Sequence, residues 1–145
     1  RDVERSRGLG DVYKRQVMAA KDENMANAIA DAVETFNVSI FGMANTCHEK
    51  IYKDERGLNF IAEFYADLDY DKEGNLVVAK GKNANYDSKI AAKRVMRALK
   101  EKKVTNTIGK DINVGCDTIC VHSDTPNAVE IITGIKSALS KWKEF

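Results

Sequence analysis

The sequence predicts an α/β fold in which parallel strands are joined by helical crossovers and carry short hairpin arms. Three observations carry this reading. Stretches with apolar residues at helical spacing alternate along the chain with short apolar or period-two runs fit for strands. Such alternation implies parallel strands with helices packed over them. Turn residues at Asp71-Lys72-Glu73-Gly74 and at Gly109-Lys110 interrupt two further short runs, as hairpins require.

Residues 1–16, RDVERSRGLGDVYKRQ, are charged and show neither period. They resemble adaptor-derived sequence read through in translation, and are expected to be a non-native leader that folds poorly. From Met18 onward the pattern changes. Ala26, Ile29, Ala30 and Val33 recur at helical spacing, with Asp22 and Glu23 near the start, where the helix dipole favours anions. This helix is expected to end near Phe36 and Asn37. Residues 38–43, VSIFGM, suit a short strand buried on both faces. Asn45 or Thr46 can cap a short helix through His48, Ile51 and Tyr52, closed by a turn at Glu55-Arg56-Gly57.

Residues 58–67, LNFIAEFYAD, read as the second strand. Phe60, Ala62, Phe64 and Ala66 face one way, and Ile61, Glu63, Tyr65 and Asp67 the other. A hairpin arm from Tyr70 to Leu76-Val77-Val78 follows. Ser88 is the expected cap of a third helix, whose stripe is Ala91, Val95, Ala98 and Leu99. A second small hairpin spans residues 104–114, and residues 117–122 form the third core strand. The last helix is expected from Pro126 to about Trp142, on a stripe of Ala128, Ile131, Ile132, Ile135, Ala138, Leu139 and Trp142. Three core strands are few for an α/β domain, and each outer one leaves an edge that folds normally cover.

Composition narrows the function classes. Lys plus Arg number 23 against 22 Asp plus Glu, a balance unsuited to neutralising nucleic-acid phosphates. Hydrophobic residues at 43 % are typical of a globular chain rather than a disordered one. No apolar run approaches the roughly 20 residues of a membrane span, and no signal peptide is evident, so the cytoplasm is the default compartment. Cys116 and Cys120 would lie roughly 13 Å apart along a strand, too far for a disulfide. With two histidines and no paired CxxC spacing, a zinc site is not expected, and Cys47, Cys116 and Cys120 read as reduced structural residues.

In parallel α/β folds, reacting groups collect at the carboxyl ends of strands. The third strand ends in His122, Ser123 and Asp124, followed by Thr125-Pro126, which reads as a helix start able to hold a carboxylate or phosphate on its N–H groups. Alternation puts Thr118, Cys120 and His122 on one face, with Ile119 and Val121 packed under helices. The second strand ends at Asp67, with Asp69 and Asp71 close behind. Each of these has a structural alternative. Asp124 can simply cap the helix, His122 can be a core histidine bonding a carbonyl, and Asp67 can be turn chemistry. The three acids after the second strand lack the spacing of a calcium loop. His48-Glu49 lacks the second histidine of a metalloprotease motif, so His48 is read as helix-surface or partner-facing.

Residues 117–130, DTICVHSDTPNAVE, closely resemble the C-terminal signature of the LamB/YcsF family, that of the A component of bacterial 5-oxoprolinase. Other blocks agree in order. Met18-Ala19-Ala20-Lys21-Asp22 is similar to the segment after that family's KPHGALY motif, and Phe41-Gly42-Met43-Ala44 resembles its next strand. EFYADLDY at residues 63–70, followed by Gly74-Asn75-Leu76-Val77, resembles its E-x-F-A-D-R-x-Y…G-x-L-V block. The resemblance covers residues 17–145 and only the C-terminal half of the family, whose DLNCDLGE and KPHG motifs have no counterpart here. It implies that residues 17–145 are the C-terminal half of a single irregular β/α barrel, related to glycoside hydrolases and deacetylases. It further implies ATP-dependent hydrolysis of 5-oxo-L-proline to L-glutamate, with ATP and Mg acting at the level of a complex with subunits B and C, and no resident metal. Asp67, His122 and Asp124 match motif positions and are assigned to catalysis; Thr125, Ser123 and Thr118 are assigned to the substrate or its anionic group. Leu68 stands where many members have Arg, and Ala79 or Lys80 replaces another, which bears on substrate recognition. A related metal-dependent deacetylase half-barrel, with Asp67 and His122 as ligands, and a non-catalytic α/β interaction module are the alternatives.

Overall fold

The computed structural model describes residues 15–77 and 87–142, so the greater part of the expected leader, Val78 and the Ala79-Lys80 pair lie outside the described residues. The chain divides into two compact units, residues 1–62 and 63–145.

In the first unit, residues 15–19 are helical, and α1 follows as Glu23–Phe36. Asp22 caps α1, its carboxylate accepting from the N–H groups of Asn24 at 2.9 Å and Met25 at 3.2 Å. Asn37 ends the helix in the left-handed region. The expected stripe is the one that packs: Ala26 and Ala30, with Ile29 and Val33, meet Ile40, Ile51 and Tyr52 in one cluster. β1, Ile40–Gly42, pairs in parallel with the first half of β2, Phe60–Tyr65, with Ile40 opposite Phe60 and Gly42 opposite Ala62. The expectation of a strand at 38–43 buried on both faces is corrected. Phe41 is half exposed, because a three-residue strand turns only alternate side chains inward, and Val38, which precedes the strand, is half exposed as well.

The helix expected through His48 is present but wound as a π-helix, Glu49–Glu55, in which the Arg56 N–H reaches the carbonyl of Ile51. Thr46 opens it, its hydroxyl accepting from the His48 N–H and donating to the Met43 carbonyl. His48 is not a surface residue: it is 1 % exposed. Its ring stacks on Tyr52 with centroids 5.2 Å apart, its Nδ1 accepts from the Met43 N–H at 3.1 Å, and it also bonds the Gln16 backbone. Gly42 makes the room. A Cβ there would stand 2.8 Å from both His48 Cβ and Phe60 Cε2, closer than carbon atoms pack.

In the second unit, the last half of β2 pairs in parallel with β7, Thr118–Cys120. Ile119 and Val121 are only partly buried, as are Cys120 and His122 on the other face. The two hairpins form as predicted. β3, Asp69–Tyr70, pairs with β4, Leu76–Val77, around a turn held by Asp71, which accepts from the Glu73 and Asn75 N–H groups. β5, Lys103–Thr105, pairs with β6, Asp111–Asn113. α2, Ser88–Glu101, is capped by Asp87 rather than Ser88, since the Asp87 carboxylate reaches the N–H groups of Lys89 and Ile90. α2 buries Ala91, Ala92, Val95 and Ala98 and packs against α3, Ala128–Ser140. Gly134 permits their approach, because a Cβ there would meet the Ser88 carbonyl at 3.1 Å.

α3 begins two residues later than Thr125-Pro126 suggests, and its N-cap is Asn127. Only Ile131 and Ile135 of the predicted stripe are fully buried, while Ile132 is exposed. Among the described residues no helix is long and apolar enough to cross a membrane.

Burial lowers the His48 pKa from 6.5 to about 4, the backbone bond to Gln16 only partly opposing it. The unfolded chain therefore binds more protons between those values, so stability falls as pH drops through that window, by roughly 3 kcal/mol. Denaturant unfolding at pH 7 and pH 4 is expected to show this loss in the wild type. In His48→Asn, which keeps an acceptor for Met43 but does not titrate, the pH-dependent component should shrink by about that amount.

Candidate active site

β2 and β7 run parallel, so their carboxyl ends lie at one edge of the pairing. Tyr65 is opposite Cys120, and the ladder continues one step further, with the Ala66 N–H on the Cys120 carbonyl at 3.0 Å. Two residues beyond each strand come Asp67 and His122, and they meet. His122 Nδ1 lies 2.9 Å from Asp67 Oδ1, and the His122 backbone N–H donates to Oδ2 at 3.1 Å. Thr125 closes the group, its hydroxyl donating to Oδ2 at 2.5 Å.

Asp67 is wholly buried. Burial alone pushes its carboxyl pKa up, but the hydrogen bonds from His122 and Thr125 outweigh it and hold the value at about 2. Asp67 is thus an anion at neutral pH. An anionic acceptor on Nδ1 selects the tautomer with the proton there and fixes the ring's orientation, the arrangement that makes Nε2 the working base of an imidazole.

Alternation along β2 and β7 adds three neighbours on the same face. The Tyr65 ring stacks on His122, with centroids 6.0 Å apart and planes 13° from parallel. Its hydroxyl donates to Glu63 at 2.7 Å. Cys120 Sγ lies 3.9 Å from His122 Nε2, and its thiol also bonds Glu63. Burial, then the negative charges of Glu63 and Asp67, push the Cys120 thiol up to about 12. It is therefore a thiol, not a nucleophilic thiolate, at neutral pH. Glu63, Tyr65 and Cys120 are missing from the site residues that the sequence suggests, although the period-two reading puts Glu63 and Tyr65 on the face of Asp67.

The other predicted residues are placed differently. Ser123 and Asp124 are exposed on the turn after His122. Thr125 is buried and spends its hydroxyl on Asp67 instead of capping α3. Thr118, opposite Glu63, starts β7 and so lies at the strand end away from His122. The three acids after β2 diverge: Asp67 goes to His122, Asp69 to Arg94 and Asp71 to its turn. Leu68, at the position of a common family Arg, is buried. Among the described residues, no three His, Cys, Asp or Glu side chains are arranged to hold a metal ion.

Comparison with known proteins agrees with the resemblance. The LamB/YcsF family model matches residues 14–143. The A component of 5-oxoprolinase from Campylobacter jejuni is 40 % identical over 127 residues, covering 86 % of this chain and 49 % of that protein. Its counterpart from Alkaliphilus metalliredigens is 38 % identical over the same shares of the two chains. The crystal structure of the lactam utilization protein from Thermus thermophilus superposes with a TM-score of 0.72 at 28 % identity, over 87 % of this chain and 51 % of that one. The chain spans about half the length of the curated relatives it matches.

The carboxylate's hold on His122 is directly observable. Nitrogen-15 NMR at pH 8 is expected to show the His122 proton on Nδ1. Asp67→Asn should erase that preference and cost about 1–3 kcal/mol of stability at neutral pH, because it removes an anion that accepts three hydrogen bonds. An Nε2-protonated wild-type ring contradicts the assignment.

Proposed function

The chain belongs to the LamB/YcsF family, and from that membership we propose that it forms part of a 5-oxoprolinase, in which Asp67 and His122 handle protons during opening of the 5-oxoproline lactam to glutamate. The single observation that carries the assignment of these residues is the buried Asp67 carboxylate locked onto His122 Nδ1 at a strand-end edge. The names of the relatives, 5-oxoprolinase and lactam utilization protein, support the substrate class.

A five-membered lactam is a poor electrophile, since nitrogen donates into the carbonyl. In this reading ATP, with Mg, serves as co-substrate at the level of the complex: phosphorylation of the lactam oxygen makes a carbon that water can attack, expulsion of the ring nitrogen leaves an acyl phosphate, and a second water releases the phosphate to give glutamate. The residues of this chain do the proton work. His122, oriented by Asp67, takes a proton from the attacking water and returns one to the departing ring nitrogen. Asp67 stays ionised and stabilises the imidazolium that forms. Thr125 acts through Asp67 by holding its second oxygen. Ser123 and Asp124, on the exposed turn beside His122, contact the substrate, with Asp124 the alternative proton donor. Thr118, away from that edge, has the weakest claim to the substrate. Partner subunits B and C, a cytoplasmic setting and a β/α barrel completed by further chain belong to the same proposal.

The metal-dependent deacetylase reading has less support. It needs Asp67 as a ligand, and both oxygens of that carboxylate already accept from protein donors. In the non-catalytic reading, the same bonds merely join strand to turn.

The test uses a full-length version with its partner subunits, assayed for ATP-coupled glutamate release. His122→Ala is expected to lower turnover about 10²–10⁴-fold, and Asp67→Asn by a comparable factor. Asp124→Ala should have the smaller effect. Unchanged turnover with intact folding in the His122 and Asp67 variants overturns the assignment. The 145-residue chain alone is expected to release no glutamate from 5-oxoproline.

A further inference from the structure

Glu63 has no part in the proton transfers assigned to Asp67 and His122, yet two donors converge on it. The Tyr65 hydroxyl donates to its Oε2 at 2.7 Å. The Cys120 thiol bonds it from the neighbouring strand, where Cys120 stands opposite Tyr65. Both donors keep their protons at neutral pH. Burial, with the Glu63 charge adding to it, pushes the Tyr65 phenol far above its ordinary value, and the Cys120 thiol is raised by the same two causes. Glu63 is therefore the acceptor in both bonds.

Those two donors also touch His122. The Tyr65 ring lies on one face of the imidazole, and Cys120 Sγ is 3.9 Å from Nε2. Because Asp67 holds the ring proton on Nδ1, Nε2 carries a lone pair. The thiol thus has one proton and two acceptors within reach, the Glu63 carboxylate and Nε2. A hydrogen bond to an ionised carboxylate is about twice as strong as one between neutral groups, so the proton goes to Glu63. The other arrangement disables a base. A thiol bonded to Nε2 takes up its lone pair, and full transfer gives a thiolate–imidazolium pair, whose ring is already protonated and accepts nothing from water.

We infer that Glu63 is a positioning residue for His122: it draws the Cys120 proton away from Nε2 and anchors the Tyr65 ring against the imidazole, so that the thiol does not take up the Nε2 lone pair. Two carboxylates then serve one ring, Asp67 by direct contact at Nδ1 and Glu63 through its two donors. The catalytic consequence rests on the proton-transfer role proposed for His122; the destination of the thiol proton does not.

Nitrogen-15 NMR of the 145-residue chain at pH 8 tests where the proton lies. The amide of Glu63→Gln is a weaker acceptor and offers one oxygen in place of two. The thiol should therefore turn to Nε2 and move its resonance upfield, as happens when an imidazole nitrogen accepts a hydrogen bond. Adding Cys120→Ala to Glu63→Gln should return the resonance to its wild-type position. Cys120→Ala by itself should leave the resonance in place, a comparison that needs no change at Glu63 and holds even where Glu63→Gln does not fold. Turnover is read in the full-length version with its partner subunits. There Glu63→Gln should lower kcat about 3–10-fold with KM unchanged, the effect of one hydrogen bond occupying Nε2. Cys120→Ala in that background should recover most of the loss, which a merely structural role for Glu63 does not predict. A resonance unmoved in Glu63→Gln, one moved downfield by Cys120→Ala alone, or a kcat loss that Cys120→Ala does not relieve each overturns the inference. Unchanged turnover in His122→Ala sinks the catalytic role of His122 instead, and the nitrogen-15 comparison still decides where the thiol proton lies.

Discussion

Asp67 is the point on which the strand-end edge of the second unit depends. A carboxylate taken wholly out of water is tolerable only if its lone pairs are met, and here three donors meet them. Those donors come from the residue two past β7 and from the turn before α3. One buried charge therefore fixes where β2 ends, where β7 ends and how the chain turns into the last helix. The same demand explains why Thr125 does not cap that helix. Its hydroxyl satisfies an anion instead, and α3 starts at Ala128 with a cap residue that makes no side-chain cap bond.

The face behind Asp67 is built to keep the histidine ring still. Tyr65 lies flat against His122, and its hydroxyl is tied to Glu63. Its backbone N–H donates to the Tyr70 hydroxyl, and the Tyr70 ring in turn stacks on Phe64. An imidazole held on one nitrogen by a carboxylate and on one face by an anchored aromatic ring has its other nitrogen pre-aimed, and in the proposed role that aim is a large part of what a protein adds to proton transfer. The raised pKa of Cys120 belongs to the same environment. Two nearby carboxylates and burial keep the thiol neutral, so it packs beside the imidazole without competing as a nucleophile.

The first unit uses a histidine in the opposite way. The His48 ring accepts from a backbone N–H and stacks on Tyr52, and burial keeps it neutral. The sequence contains only two histidines, and nothing in their local neighbours distinguishes the two roles. His48 precedes a glutamate and looks solvated, yet Gly42, remote by six positions, leaves the space that the ring fills.

Much of the architecture was legible because it rests on local rules. Period and turn chemistry placed both hairpins, α1, α2 and the three parallel strands, and the DTICVHSDTP run identified the family. The alternation of LNFIAEFYAD and DTICVH also placed Asp67 and His122 at strand ends. What sequence could not decide were matters of competition between partners distant along the chain. Thr125 could cap a helix or bond a carboxylate 58 positions earlier, and Asp87 or Ser88 could cap α2. His48 could face water or fill the gap beside Gly42. In each case local propensity permits both outcomes. The desolvation of a buried charge or ring, which exists only once the strands have paired, selects between them for Thr125 and His48.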